Sequence, residues 1–291
     1  YGHFYLNEII TKEKPDIFIG ANDFWAFNGL YDEPWWNDIN CALWTTIDSL
    51  PIYKDALANA GKIENFWVWS KFAETEMHRL GHKHVKTIHG AFDTNNSKPL
   101  PNKQELRARH GIAEDDFVVG FVFRNQVRKL VGTLLEGYSI HKKLNSKTKC
   151  KLLLHTSWAT GWKIEDFIEE FGIDPKDVLA THVCSSCGGY SIKPYEGEDK
   201  KCGLCGGVNT LVTPNTNLGV DDGAMAEIYN MMDFYVHPVT SGGLEMPIVE
   251  AMMCGVPVAT SNYACGKEYC EQDFVDNIDH TTYREFFVSL S

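Results

Sequence analysis

The 291-residue sequence has no apolar run long enough to cross a bilayer. Its longest, around Phe117 to Phe123, falls far short of the roughly 20 residues that a spanning helix needs. Positive charge is not in excess either. With 39 acidic against 27 basic residues the formal net charge is −12, which argues against a general nucleic-acid coat while leaving room for a local basic patch. No basic-then-apolar leader opens the sequence, so nothing marks it for secretion. Neither G-x-G-x-x-G nor G-x-x-x-x-G-K-[ST] occurs, which disfavours dinucleotide dehydrogenases and P-loop enzymes. An even cysteine count is missing too, and nine thiols cannot make a fully paired disulfide framework. The rest is ordinary globular composition, 44% hydrophobic and 23% charged, which excludes a disordered or fibrous chain.

Four of the cysteines stand in two knuckles, Cys184-Ser-Ser-Cys187-Gly-Gly and Cys202-Gly-Leu-Cys205-Gly-Gly, while Cys41, Cys150, Cys254, Cys265 and Cys270 are scattered. Paired C-x-x-C knuckles can converge four thiolates tetrahedrally on Zn2+. The trailing glycines permit tight turns that aim backbone amides at sulfur. Four cysteine ligands imply a closed structural site. Neither knuckle opens a helix, which disfavours a redox pair. Knuckles plus unpaired thiols fit a reducing compartment, so the expected location is cytoplasmic.

The pattern is α/β with mostly parallel strands. A helix is expected from His3 to Lys14, then strands at Asp16–Ala21, Ala42–Ile47, Asn65–Trp69 and Val85–His89, with a helix at Lys71–Leu80. The run Ile17-Phe18-Ile19 reads as a strand buried on both faces. Gly90 to Asn102 is rich in Asn, Asp, Ser and Pro and reads as a linker. Beyond it come helix 103–110, strand 117–123, helix 128–143, strand 151–155 and helix 164–171. An irregular cysteine segment, 182–212, follows, and its stretch 190–201 looks like the tip of a zinc ribbon. Helix 224–231, strand 234–237, helix 247–254 and strand 257–260 complete the pattern. The expected domains are 1–98 and 99–291, with the ribbon inserted at 182–212.

Two further constellations suit a nucleotide. Arg124 stands just past a strand's carboxyl end, and Lys129 is expected to open the next helix, where partial positive charge favours a diphosphate. A solvated surface loop fits these residue types equally well. In Ser241-Gly242-Gly243-Leu244-Glu245-Met246-Pro247, a strand end and glycine pair precede a helix in which Glu250 lies one turn in. A carboxylate so placed can accept ribose hydroxyls, and it can equally just complement the helix dipole. His78, His82 and His84 read as a solvated helix end, and His155 and His237 as strand-end candidates only.

The run Val236 to Thr260, containing H-P-V-T-S-G-G-L-E-M-P-I-V-E-A-M-M-C-G-V-P-V, resembles the signature of family-4 glycosyltransferases of GT-B fold. The resemblance extends through Ala226 to Asp233, the Arg124–Lys129 pair, Val68 to Phe72 and His89 to Asp93. It implies two Rossmann-like domains facing a cleft, a nucleotide-diphosphate sugar as donor, retention of configuration and no catalytic metal. It assigns Glu250 to the ribose hydroxyls, Arg124 and Lys129 to the diphosphate, and Gly242, Gly243, Leu244 and Glu245 to the donor loop. The acceptor, bound by the first domain, stays open between a glycan, a small molecule and a modified nucleic acid. Asp48 is the candidate for orienting it, with helix-capping as the alternative. The family's first motif glutamate aligns with Gly242, leaving Glu245 three residues on to replace it. A nucleotide-sugar- or nucleic-acid-binding protein without turnover is the rival. The family's opening strand and glycine-rich loop are not in the sequence, so the expectation is that these residues are most of a longer protein.

Overall fold

The computed structural model describes residues 3–270 and the strand Val275–Ile278. Residues 279–291 of the expected second domain lie outside the described residues. Two compact units emerge. The first holds residues 3–91 together with Ser241–Glu245 and 263–270; the second holds Phe92–Thr240, Met246–Asn262 and that last strand.

The first unit contains α1 (His3–Glu13), β1 (Ile17–Asp23), β2 (Asn40–Thr46), α2 (Lys54–Asn59), β3 (Asn65–Val68), α3 (Lys71–Arg79) and β4 (Lys86–Thr87). Its strands pair in parallel in the order β1-β2-β3-β4. Phe24, Phe27, Leu43, Phe66, Val68 and Met77 build the core on one face. Ser70 caps α3, its hydroxyl accepting from the Ala73 amide. Glu74 then ties α3 to β4, accepting from the Thr87 amide at 3.0 Å and the Thr87 hydroxyl at 2.5 Å.

One sequence expectation fails here. β1 is parallel, but Ile17 is 61% and Ile19 55% exposed, not buried on both faces. The cause is position. Among the described residues β1 is an edge strand, and only the Phe18–Gly20 side meets the core, where Gly20 fits against Phe27 and Leu43.

The second unit contains α4 (Lys103–Arg109), β5 (Phe117–Val122), α5 (Val131–Leu144), β6 (Cys150–His155), α6 (Ile164–Glu170), β7 (Val178–Cys184), β8 (Tyr190–Pro194), β9 (Leu211–Val212), α7 (Asp222–Asn230), β10 (Phe234–His237), α8 (Met246–Met253), β11 (Val258–Ser261) and β12 (Val275–Ile278). Its sheet runs β12-β11-β10-β5-β6-β7-β8, with β9 also on β7. The strands β12 to β7 are parallel, and β8 and β9 add antiparallel. Asp233 locks α4 to this sheet. It pairs with Lys103 and the buried Arg107 and accepts from the Val118 amide. Burial alone would raise its carboxyl pKa, but the Lys103, Val118 and Arg107 donors hold it below the usual carboxylate range.

Two more expectations are corrected. The segment 182–212 is not simply irregular: its start completes β7, and Tyr190–Pro194 pairs with β7 as an edge strand of the main sheet. Of the strand's five residues only Ile192 is fully buried, so its polar composition masked it. Lys129 does not open α5. It closes a 3-10 turn, Val127–Lys129, and Leu130 at φ 55° separates that turn from the helix. Among the described residues no helix is long and apolar enough to cross a membrane.

Candidate functional site

In the second unit, the carboxyl ends of β5 and β6 open into a cavity of about 570 Å3. Arg124, Gln126, His155, Thr156 and Thr160 line it, with Asn215 and Thr216 from beyond β9. The wall is set by Asn125, whose amide nitrogen donates to the Ser157 and Trp162 carbonyls while its oxygen accepts from the Trp162 amide. Gly161, at φ 86°, allows this closeness, since a Cβ there would lie 2.7 Å from Asn125 Cγ. Burial lowers the His155 pKa to about 4, so its ring is neutral at pH 7. Arg124 is thus the single charged group among the lining residues, exposed just past β5. An anion is the ligand such a cavity favours.

Lys129 and Glu250 belong to this unit but are not among the residues that line that cavity. Lys129 is 5% exposed. Glu250, half-buried on α8, accepts from the Tyr229 hydroxyl at 2.7 Å. Burial raises its carboxyl pKa, the Tyr229 bond opposes the rise, and the charge of Asp222 adds to it. α8 begins at Met246, one residue before the expected Pro247.

The loop Ser241–Glu245 belongs to the first unit. There the Gly242 amide donates to the Asp48 carbonyl at 2.9 Å. A Cβ on Gly243 would lie 2.7 Å from both Asp48 Oδ1 and Thr46 Cβ, so only glycine lets the loop lie this close to the end of β2. The Tyr269 hydroxyl, on α9 (Gly266–Cys270), donates to the Leu244 carbonyl and anchors the loop from its other side. A Cβ on Gly242 would meet Glu245, 2.7 Å from its Cδ and closer still to Oε1. The Glu245 carboxylate therefore folds back into the space that a side chain at 242 would enter. Glu245 itself sits at φ 51°. The structure thus gathers Asp48, Gly242, Gly243, Leu244 and Glu245 in one unit and leaves Arg124, Lys129 and Glu250 in the other.

Beside this loop, the ends of β1 and β2 open into a second cavity of about 330 Å3. Asp23, Trp25, Thr46, Asp48, Ser49 and Tyr53 line it, and the Thr46 hydroxyl donates to Asp23 at 2.9 Å. Sequence reasoning found Asp48 but missed Asp23 and Trp25. Asn22-Asp23 was visible as a polar strand end, yet nothing in the spacing ties it to the end of β2.

The four knuckle sulfurs all lie within 4.8 Å of one another. Cys184 and Cys205 are 3.7 Å apart and Cys187 and Cys202 4.0 Å, close to the roughly 3.8 Å set by four 2.3 Å bonds in a tetrahedron. The knuckles repeat one another bond for bond. Cys184 and Cys202 amides donate to Gly189 and Gly207 carbonyls, and Gly188 and Gly206 amides donate back to Cys184 and Cys202. The Ser186 and Leu204 amides each reach a sulfur at 3.4 Å. The Thr210 hydroxyl, with the Cys187 and Ser186 amides, holds the Cys184 thiol below its usual range. This donor set fits a zinc ion.

Residues 197–280 match the family described as glycosyl transferases group 1. Among solved structures the chain is similar to a glycosyltransferase from Rickettsia africae ESF-5, at 11% identity and a TM-score of 0.65, covering 95% of this chain and 65% of that one. It is similar to sucrose-phosphate synthase from Thermosynechococcus elongatus, at 16% identity and a TM-score of 0.63, covering 94% and 62%. It is also similar to Anabaena HepE, solved with UDP and glucose, at 17% identity and a TM-score of 0.65, covering 93% and 66%. These likenesses establish a shared α/β fold of GT-B type. The chain spans less than two thirds of each of these three structures. No curated protein matches it.

Proposed function

We propose that the chain is a glycosyltransferase that moves a sugar from a nucleotide-diphosphate sugar to an acceptor hydroxyl with retention, in the manner of family 4. The carrying observation is Arg124 at the wall of a cavity at the carboxyl ends of β5 and β6, in a chain with a group 1 match. Arg124, with Lys129, neutralises the departing diphosphate, which needs charge stabilisation where negative charge develops. Glu250 takes the ribose hydroxyls; its tie to Tyr229 fixes the carboxylate and leaves a second oxygen for the ligand. Glu245 replaces the glutamate that the family carries at the position of Gly242, a reading supported by its carboxylate folding into that space. Asp48 faces the acceptor side.

Because HepE was solved with UDP, a panel of UDP-sugars comes first, followed by other bases. Glu250→Ala and Lys129→Ala are expected to lower transfer or donor hydrolysis by about 100-fold or more, the scale of losing a charge-stabilising group. Wild-type rates in both variants would sink the site assignment. Tight nucleotide binding without hydrolysis or transfer of any donor would favour the binding protein.

We also assign Zn2+ to Cys184, Cys187, Cys202 and Cys205 as a structural ion that pins β8 and β9 to β7, in a protein of a reducing, cytoplasmic compartment. About one equivalent is expected by elemental analysis. Chelation should lower the melting temperature through the loss of coordination energy. A folded preparation without metal, made without chelator and melting unchanged on adding zinc, would contradict the site.

A further inference from the structure

We propose that Glu198, at the tip of the cysteine ribbon, is a positioning residue for the Arg124 cavity. It sets the loop that forms one wall, so that a metal held by the four cysteines tunes anion binding there. That the anion is a nucleotide diphosphate rests on the glycosyltransferase reading; the link between ribbon and wall does not.

The link begins at the second knuckle. The Lys200 amide donates to the Leu211 carbonyl at 3.1 Å and the Leu211 amide donates back to Lys200 at 3.0 Å. This antiparallel pair closes the hairpin that carries Cys202 and Cys205. Two residues further out on each side, the same register sets Glu198 opposite Thr213. Glu198 stands between Gly197 at φ 98° and Asp199 at φ 57°, left-handed positions that glycine and aspartate tolerate. Its carboxylate takes both donors of Thr213, the amide at 2.7 Å and the hydroxyl at 2.6 Å. Thr213 is 1% exposed, and its hydroxyl oxygen in turn accepts from the Trp158 amide at 3.0 Å. One carboxylate therefore joins two loops that line the cavity, through Ser157 and Thr160 around Trp158 and through Pro214 to Thr216 after Thr213. Tyr195 of the ribbon repeats the tie, its ring stacked on Trp158 at 4.5 Å. Asn215 closes the next turn on itself, its oxygen accepting from the Asn217 and Leu218 amides and its own amide donating to the Leu218 carbonyl. The placement of that turn is thus set at Thr213. Zinc on the four thiolates ties the hairpin's closed end to Cys184 of β7, and loss of the ion releases that end.

The sign of the effect separates positioning from charge. Glu198 puts a negative charge behind the wall of a site that favours an anion. Acting through charge alone, its removal would tighten anion binding. Removing a positioning residue weakens it.

Calorimetry with UDP and with inorganic pyrophosphate on the zinc-loaded chain is the test. Glu198→Ala and Glu198→Gln should weaken both probes, the first by about tenfold, within the range for substitutions that couple two sites. Thr213→Val should match them, and Thr213→Ser should recover most of the affinity. Glu196→Ala removes an exposed carboxylate of the same ribbon, paired with Lys193, and should change nothing. Zinc content and a cooperative melt confirm that each variant keeps its metal and its fold. Metal-free wild type should lose affinity as Glu198→Ala does, and removing zinc from Glu198→Ala should add little. Hydrogen exchange without ligand gives a second readout. The Trp158 and Thr213 amides should exchange faster in Glu198→Gln, with those of β5 and β6 unchanged. Unchanged or tighter binding in Glu198→Gln, an equal loss in Glu196→Ala, full affinity in the metal-free protein, or unaltered exchange would each overturn the proposal. If neither probe nor any other nucleoside diphosphate binds the wild type, the donor reading falls and the exchange data decide this inference. If UDP binds the wild type and every variant alike, this inference falls alone.

Discussion

The two parallel sheets are built from similar residues yet close themselves off to different degrees. In the second unit every residue of β7 is buried, and Val118, Phe121 and Leu152 to Leu154 are fully inside. In the first unit, the Ile-Phe-Ile run of β1 leaves both isoleucines more than half exposed. A run of β-branched and aromatic residues therefore announces a strand but not its depth. Depth is set by how many neighbours the strand acquires, and that is a property of the whole sheet.

The comparison breaks most sharply at the polar ties. Asp233→Asn in the second unit strips a buried guanidinium, Arg107, of its counter-charge while its bonds to the Met231 and Asp116 carbonyls remain. Removing one partner of a buried ion pair leaves an uncompensated charge, and we expect a loss of about 3 kcal/mol. Urea unfolding of both proteins at pH 7 measures it. A shift under about 1 kcal/mol would mean that the second sheet is no more dependent on its ties than the first.

The equivalent tie in the first unit is weaker because its cation, Lys71, is exposed whereas Arg107 is buried. Burial would raise the pKa of Glu74, but its bonds from Thr87 and Lys71 outweigh this and bring it from 4.5 down to about 2. A carboxyl held low in the fold contributes stability above its unfolded pKa and loses it as the pH falls. The contribution is therefore whole above about 4.5 and disappears between there and about 2. Allowing for solvent screening, Glu74→Gln should cost about 1–2 kcal/mol at pH 7 and far less at pH 3. Denaturant midpoints at the two pH values test this; an equal cost at both would remove the carboxylate from the account.

These two ties also show what the sequence could and could not reveal. Element type was legible because α/β alternation and capping act over short spans: Ser70 before α3 announces that helix, and the period of α5 is visible in its apolar face. The knuckles were legible because metal chemistry fixes ligand spacing locally, and their sulfurs do converge. What was hidden depends on distant pairing. Strand β8 becomes the outer edge of the main sheet only because β7 has room beside it. Lys129 is displaced from the helix start by one left-handed residue, Leu130, which no composition rule singles out. Asp23 joins Asp48 in one cavity because β1 pairs with β2 in register, Asp23 opposite Thr46. The back-folding of Glu245 onto Gly242 is likewise a matter of conformation, visible only once the loop is built.

The smallest effect belongs to β1 itself. Ile19→Thr keeps a β-branched residue in the strand, removes little apolar surface from any interior and puts a hydroxyl where water already reaches. We expect a change within about 0.5 kcal/mol, the usual range for surface substitutions. The opposite side of the strand has no such freedom, since a Cβ on Gly20 would lie 2.7 Å from a Phe27 ring carbon. If Ile19→Thr instead costs more than about 1 kcal/mol, the outer face of β1 is covered in solution. The difference between the two sheets would then reflect what packs on that face rather than the edge position of the strand. Equilibrium unfolding of Ile19→Thr beside the wild type decides between these readings, because an edge strand open to water and one covered by further protein share every local sequence feature.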